Sequence, residues 1–212
     1  MKRTKYYVVW KGHKPGIYDN WEACKAQVDV FTGAQYKAFV TLAEAKIAYQ
    51  TVATAYISYK AGQNIPQVNM AKLAVVGKPI LNSICVDAAC SGNPGAMEYR
   101  GLDFATGKEF FKQGPYQQGT NNIGEFLAIV RAIAMLKHYG SNQVIYSDSK
   151  IAISWVKLKK CKTKLMLNSK NQDVFTLMHN AETWLANNTY TTIIKKWETE
   201  AWGENPADFG RK

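Results

Sequence analysis

The sequence predicts an α/β fold: a mixed five-stranded sheet flanked by helices over residues 80–212, preceded by a small α+β domain over residues 1–59. Three observations predict it. After residue 80 the pattern reads as three strands, a helix, a strand, one or two helices, a strand and a helix, an order that needs a sheet with helices packed on it. The first 59 residues carry a strand and helix alternation of their own. Between the two, residues 60–79 lose periodicity and hold Gly62, Asn64, Pro66, Gln67, Asn69 and Gly77, the composition of a linker.

Lys5 to Trp10 is aromatic and β-branched and reads as a strand. Lys11 to Gly16 is a turn, and Ile17-Tyr18 begins the return strand. Asp19 and Asn20 can cap a helix from Trp21 to about Val28. Gly33 to Phe39 reads as a third strand. Thr41-Leu42-Ala43-Glu44 has the form of a capping box, and the helix behind it is expected to reach Tyr59. Met70 to Val76 can form a short helix inside the linker. In the second region, Ser83 to Cys90 is an apolar run broken by Ser91-Gly92-Asn93-Pro94-Gly95, a buried strand followed by a turn. Ala96 to Phe104 and Lys108 to Tyr116 are two further strands around Thr106-Gly107. Ile123 to His138 is a long amphipathic helix that Gly140 ends. Val144 to Asp148 is a strand, Ser149 to Lys159 a helix, Gln172 to Asn187 a helix, Tyr190 to Trp197 a strand and Trp202 to Asp208 a last short helix.

Composition narrows the function classes. No apolar run approaches the length of a membrane span, and the opening Met-Lys-Arg-Thr-Lys-Tyr-Tyr lacks the apolar stretch of a signal peptide. The four cysteines (Cys24, Cys85, Cys90, Cys161) show no CxxC spacing, and none pairs with a histidine at zinc-ligand spacing. A cytoplasmic protein with reduced thiols, no membrane partner and a monomeric state is the simplest expectation. The net charge is +11. Residues 1–80 hold 11 basic and 4 acidic side chains, and residues 81–212 hold 16 and 12, so the shorter part is the more basic. That asymmetry suggests a polyanion-binding module attached to something else, with nucleic acid as the first candidate. Its aromatics and lysines alternate, as stacking and phosphate contact would require, although some of those aromatics must build its core.

Four acids stand out in the second region. Asp87 lies inside the apolar strand, where a desolvated carboxylate needs a partner or a metal; a turn cap or a lysine contact is the plainer alternative. Glu125 sits among apolar residues in the first turn of a helix, where the helix dipole also favours an acid. Asp148 ends a strand and can simply cap the next helix. Asp208 lies near the C-terminus. Taken together, four acids in a basic chain are harder to dismiss. Hard divalent ions take oxygen ligands, and two of them about 4 Å apart can activate water and stabilise a leaving oxygen at phosphorus.

The local motifs carry a resemblance. Val86-Asp87-Ala88-Ala89-Cys90-Ser91-Gly92-Asn93-Pro94-Gly95, Thr120-Asn121-Asn122-Ile123-Gly124-Glu125, Tyr146-Ser147-Asp148-Ser149 and Trp202-Gly203-Glu204-Asn205-Pro206-Ala207-Asp208 resemble, in order, the motifs of ribonuclease H. Tyr7 to Tyr18, Asn20-Trp21, Cys24, Gln27-Val28 and Tyr36-Lys37-Ala38-Phe39 resemble the hybrid-binding domain found at the N-terminus of many ribonucleases H.

The resemblance implies a ribonuclease H-like fold and an endoribonuclease that cuts the RNA strand of RNA/DNA hybrids, leaving 3′-hydroxyl and 5′-phosphate ends. It implies two Mg²⁺ or Mn²⁺ ions held by Asp87, Glu125, Asp148 and Asp208, with Asp87 bridging both. Glu204 matches a position that assists metal exchange and product release. Glu125 and backbone near Ser91, beside Gly92, match the sensor of the ribose 2′-OH, the group that separates RNA from DNA. Asn93, Asn121 and Asn122 match minor-groove contacts, which turn formation and capping would also explain. Thr120 and Asn122, with Thr163 and Lys164, match a pocket for a DNA phosphate. Lys150 stands where relatives often have a base-contacting glutamine, and a lysine favours phosphate instead. Tyr7, Trp21, Tyr36 and Lys37 match the substrate contacts of the N-terminal module, which in the family also binds double-stranded RNA more weakly. Ala38 replaces a second lysine common there. Two rivals remain: a DNA-acting nuclease of the same fold, and a non-catalytic binder of hybrid or double-stranded RNA.

Overall fold

The computed structural model describes residues 5–50, 53, 56 and 69–210. The chain divides into two compact units, residues 1–79 with 198–204, and residues 80–197 with 205–212.

In the first unit, β1 (Tyr6–Lys11) is the centre of a three-stranded antiparallel sheet, flanked by β2 (Gly16–Tyr18) and β3 (Gln35–Phe39). Between β2 and β3 lies α1 (Trp21–Val28), and after β3 comes α2 (Leu42–Gln50). Both helices start on side-chain caps. Asn20 Oδ1 accepts from the Ala23 N–H at 2.8 Å. Thr41 and Glu44 close the expected capping box: the Thr41 hydroxyl accepts from the Glu44 N–H, and the Glu44 carboxylate accepts from the Thr41 N–H at 3.0 Å. Val8, Phe39, Ala45, Ala48 and Tyr56 make the core on the α2 side. The expected extension of α2 to Tyr59 falls mostly outside the described residues. The short linker helix forms as α3 (Met70–Val76).

The second unit is a five-stranded mixed sheet in the order β6-β5-β4-β7-β8, built from β4 (Ser83–Gly92), β5 (Gly95–Asp103), β6 (Glu109–Gly119), β7 (Val144–Ser147) and β8 (Ile194–Lys196). β4 runs antiparallel to β5 and parallel to β7. As the central strand it is buried on both faces from Ser83 to Ala88, which explains its continuous apolar run. The chief helix is α4 (Asn121–His138), eleven of whose residues are buried; α5 (Lys150–Lys157) and α6 (Gln172–Asn187) pack with it around one core that includes Ile84, Val86, Met97, Phe126, Ile133 and Leu185. Among the described residues no helix is long and apolar enough to cross a membrane.

Several boundaries differ from expectation; β6, for one, runs to Gly119 rather than Tyr116. Ser91 and Gly92 belong to β4 itself, which pairs through Gly92 with Gly95, so the turn shrinks to Asn93-Pro94. The strand expected over 190–197 is only Ile194–Lys196, because its partner β7 offers four residues to pair with. The last helix, α7, spans Thr199–Trp202 rather than 202–208: Gly203, at φ 79°, ends it, and the chain then turns through Asn205 and Pro206.

Candidate active site

The sheet topology brings the acids of the second unit together. Asp87 is the fifth residue of β4, facing Arg100 of β5 in register. Asp148 directly follows β7, the parallel neighbour of β4, and the β4–β7 register brings it level with Asp87 in the middle of β4. Glu125 is in the first turn and a half of α4, whose N-terminus Thr120 caps. Gly124 allows that placement: a Cβ there would lie 2.7 Å from the Ala88 Cβ and 3.1 Å from Met97, so α4 can press against β4 beside Asp87 only with glycine at this position.

One oxygen each from Asp87, Glu125 and Asp148 lies within 4.8 Å of the others. Asp87 is 6 % exposed and Glu125 3 % exposed, so these are desolvated charges. Burial pushes the Asp87 carboxyl up to about 7, with the charges of Asp148 and Asp208 adding to the rise and a hydrogen bond from Glu125 opposing it. Burial, then the Asp87 charge, raises Glu125 well above the usual carboxylate range. The fully buried Ser147 sets the edge of the cluster: its hydroxyl donates to Glu125 Oε2 at 3.4 Å and accepts from the Ser149 N–H at 3.1 Å.

The cluster opens into a cavity of about 340 Å³ whose lining includes Asp208, Ser91 and Asn121. The donor set is all carboxylate oxygen and closely spaced, which fits a hard divalent cation such as Mg²⁺ or Mn²⁺.

A neighbouring cavity of about 480 Å³ brings Thr120, Asn122, Thr163 and Lys164 together with Asn93 and Trp155. These residues come from four separate stretches of the chain. Gly92 is exposed at the end of β4, and Lys150, the first residue of α5, is also exposed; neither lines a described cavity. Glu204 is exposed and belongs to the first unit.

In the first unit Tyr7, Trp21 and Tyr36 form one row of rings, with centroids 5.6 Å apart for Tyr7–Trp21 and 5.7 Å for Trp21–Tyr36. Trp21 and Tyr36 are 39 % and 42 % exposed, a large aromatic surface for a small domain. The structure separates Lys37 from that row. Neighbouring residues of a strand point to opposite faces, so Lys37 shares the face of Phe39 and donates to the Tyr56 carbonyl on the α2 side.

Two residues that hold the site were not foreseen. Arg100 donates from Nε to the Ala207 carbonyl at 2.8 Å and from a terminal nitrogen to the Asp208 carbonyl at 2.7 Å. Asn205 donates to the Val86 carbonyl at 2.9 Å and accepts from the Ala207 N–H at 3.0 Å. Their partners are all backbone atoms, so Arg100 stands in no motif, and Asn205, though inside the Trp202–Asp208 motif, has no role of its own assigned by it.

Comparison with known proteins decides the family. A family model described as RNase H matches residues 82–208, more than half of the chain. The chain belongs to the ribonuclease H family. A second model, the Ribonuclease H1 N-terminal domain, matches residues 5–49. Curated relatives match over short stretches: the Ribonuclease H of Crithidia fasciculata is 49 % identical over 49 residues, which is 23 % of this chain and 10 % of that protein. The Ribonuclease H of Saccharomyces cerevisiae is 44 % identical over 45 residues, 21 % of this chain and 13 % of that one. The transactivator/viroplasmin protein of Cauliflower mosaic virus (strain Bari 1) is 40 % identical over 52 residues, 24 % of this chain and 10 % of that protein. The chain thus spans only about a tenth of the length of these relatives. Among solved structures, the RNase H1 of the halophilic archaeon Halobacterium salinarum NRC-1 is 18 % identical over 54 % of this chain and 83 % of that one, with a TM-score of 0.34. LC11-RNase H1, isolated from compost, is 18 % identical over 56 % and 86 %, with a TM-score of 0.35.

Proposed function

We propose that this ribonuclease H family member is an endonuclease that cuts the RNA strand of RNA/DNA hybrids, leaving 3′-hydroxyl and 5′-phosphate ends. The observation that carries the reading is the carboxylate trio of buried Asp87, buried Glu125 and half-buried Asp148, with Asp208 on the wall of the same cavity. In this reading Asp87, Glu125, Asp148 and Asp208 would together hold two divalent ions, with Asp87 shared between them. When bound, the ions supply an activated water and charge neutralisation at the leaving oxygen.

The chain's own residues would do the rest. Glu125 and the backbone at Ser91 accept and donate at the ribose 2′-OH, which rejects DNA at the scissile position. Asn93, Asn121 and Asn122 contact the minor groove. Thr120, Asn122, Thr163 and Lys164 hold a phosphate of the DNA strand, a role supported by the cavity they share. Lys150, exposed on α5, pairs with phosphate from outside that cavity. Glu204 assists ion exchange and product release. The basic module at residues 1–59 holds the hybrid on the Tyr7–Trp21–Tyr36 row, and double-stranded RNA more weakly; residues 80–212 cut it. The protein works as a cytoplasmic monomer.

Labelled RNA/DNA hybrid, duplex DNA and duplex RNA incubated with Mg²⁺ test this. Cleavage confined to RNA paired with DNA is expected. Equal cleavage of duplex DNA would point to a DNA-acting nuclease of the same fold, and no cleavage of any substrate would point to a binder.

A further inference from the structure

Asp208 differs from the other three acids in how it is held. Asp87, Glu125 and Asp148 sit on or directly after regular elements of the sheet and its helix. Asp208 lies in the turn that follows α7, beyond any strand or helix. Inside that turn the Asp208 N–H donates to the Asn205 carbonyl at 2.8 Å and the Gly210 N–H donates to Asp208 Oδ1 at 2.6 Å, but the bonds that tie the turn to the sheet come from side chains.

Arg100 is the chief of these. Its guanidinium reaches two consecutive carbonyls, Ala207 and Asp208, in a fork that a planar five-donor group suits. It also lies over the Phe209 ring, 4.6 Å from the centroid, with Lys112 5.4 Å away over the same ring. Each cation has an acid of its own, Glu109 for Arg100 at 3.8 Å and Glu98 for Lys112 at 3.0 Å. Because β4 and β5 pair Asp87 with Arg100, the residue that grips the Asp208 backbone stands directly across the ladder from the proposed bridging carboxylate. Asn205 ties the same turn to the Val86 carbonyl, one residue from Asp87.

We propose that Arg100 is a positioning residue that fixes the distance between Asp208 and Asp87, and with it the affinity of the second divalent ion. The inference rests on the reading of Asp208 as an ion ligand. Arg100 does not touch substrate or ion. It sets where the Asp208 carboxylate can stand, and without it the turn loses two charge-assisted hydrogen bonds and the cover on Phe209. Lysine keeps the charge and the ring contact yet can reach only one of the two carbonyls well.

Mn²⁺ titration calorimetry on the full chain, with thermal unfolding in EDTA as the folding control, tests it. The parent chain is expected to show a tighter and a weaker ion. Arg100→Ala should weaken the second ion about tenfold or more, the usual effect of removing a supporting contact to a ligand, and leave the first within about twofold. Arg100→Lys should fall between the two. Equal weakening of both ions, or none in either variant while Asp208→Asn abolishes the second, overturns the positioning role. An unchanged second ion in Asp208→Asn overturns the ligand reading instead, and distinguishes that failure from the failure of the clamp.

Discussion

The buried carboxylates should make the metal-free protein less stable than a variant that lacks one of them. Consider Asp87→Asn. The amide is nearly the same size as the carboxylate, so packing changes little. In the parent, Asp87 rises from its ordinary 3.8 to about 7, chiefly through burial. A carboxyl whose folded value exceeds its unfolded value contributes stability that is fully present below about pH 4 and is lost as the pH climbs through about 7. A rise of this size corresponds to on the order of 4 kcal/mol lost by the folded state at pH 8. Asparagine never ionises and escapes the loss, but it weakens the hydrogen bond with Glu125, which costs about 1 kcal/mol. The net gain is therefore about 2–3 kcal/mol in EDTA at pH 8, roughly 5–10 °C in the unfolding midpoint of a unit this size. At pH 5 most of the parent's loss is gone, so the two midpoints should converge. Saturating Mg²⁺ should stabilise the parent by linkage and the variant little. Urea or thermal unfolding under the four conditions reads all of this. A variant no more stable than its parent in EDTA at pH 8 would refute the reasoning, since it would mean that Asp87 is not a destabilised charge in the absence of ions.

Asp208→Asn should abolish turnover of a labelled hybrid yet retain binding in a gel shift; residual turnover at the parent rate would exclude a ligand role. Removing residues 1–60 should weaken hybrid affinity and processivity and leave basal cleavage, and an unchanged gel shift would remove the module's binding role. Within that module Trp21→Ala should cost about tenfold or more in hybrid affinity, as the loss of a stacking ring does, whereas Lys37→Ala should cost little, because Lys37 faces α2. Fluorescence anisotropy at fixed salt compares the two, and a larger loss for Lys37→Ala would reverse the assignment of faces.

Much of this was legible in the chain because the chemistry is written in short motifs. Asp87, Glu125 and Asp148 each stand in a stretch whose residues also dictate a strand end or a helix start, so motif and element could be read together. The spacing of the trio in space was not legible, since it depends on the β4–β7 pairing and on how closely α4 approaches at Gly124. Lys37 shows a signal that was present and unread: period-two alternation forbids Tyr36 and Lys37 from sharing a face. Arg100 had no such signal, and Asn205 stood inside a motif that gave it no role. They act on carbonyls 107 and 119 residues away in sequence, and an arginine on a strand or an asparagine before a proline looks ordinary until the fold closes. The misplaced last helix has the same origin: Trp202 and the acids after it suit a helix, but Gly203 at positive φ stops it one residue on.

The grouping of Glu198–Glu204 with the first unit has a bearing on how the chain is made. Lys72 of α3 pairs with Glu198 at 2.9 Å and with Glu200 at 3.2 Å, and the Trp202 indole donates to the Gly77 carbonyl at 2.7 Å. The helix α3 is thus completed by a segment translated long after it. At typical synthesis rates, on the order of ten seconds separate the two on the ribosome. α3 therefore leaves the exit tunnel well before its partner is made, and a nascent chain stalled before residue 198 should carry an α3 whose amide protons exchange faster than in the full chain.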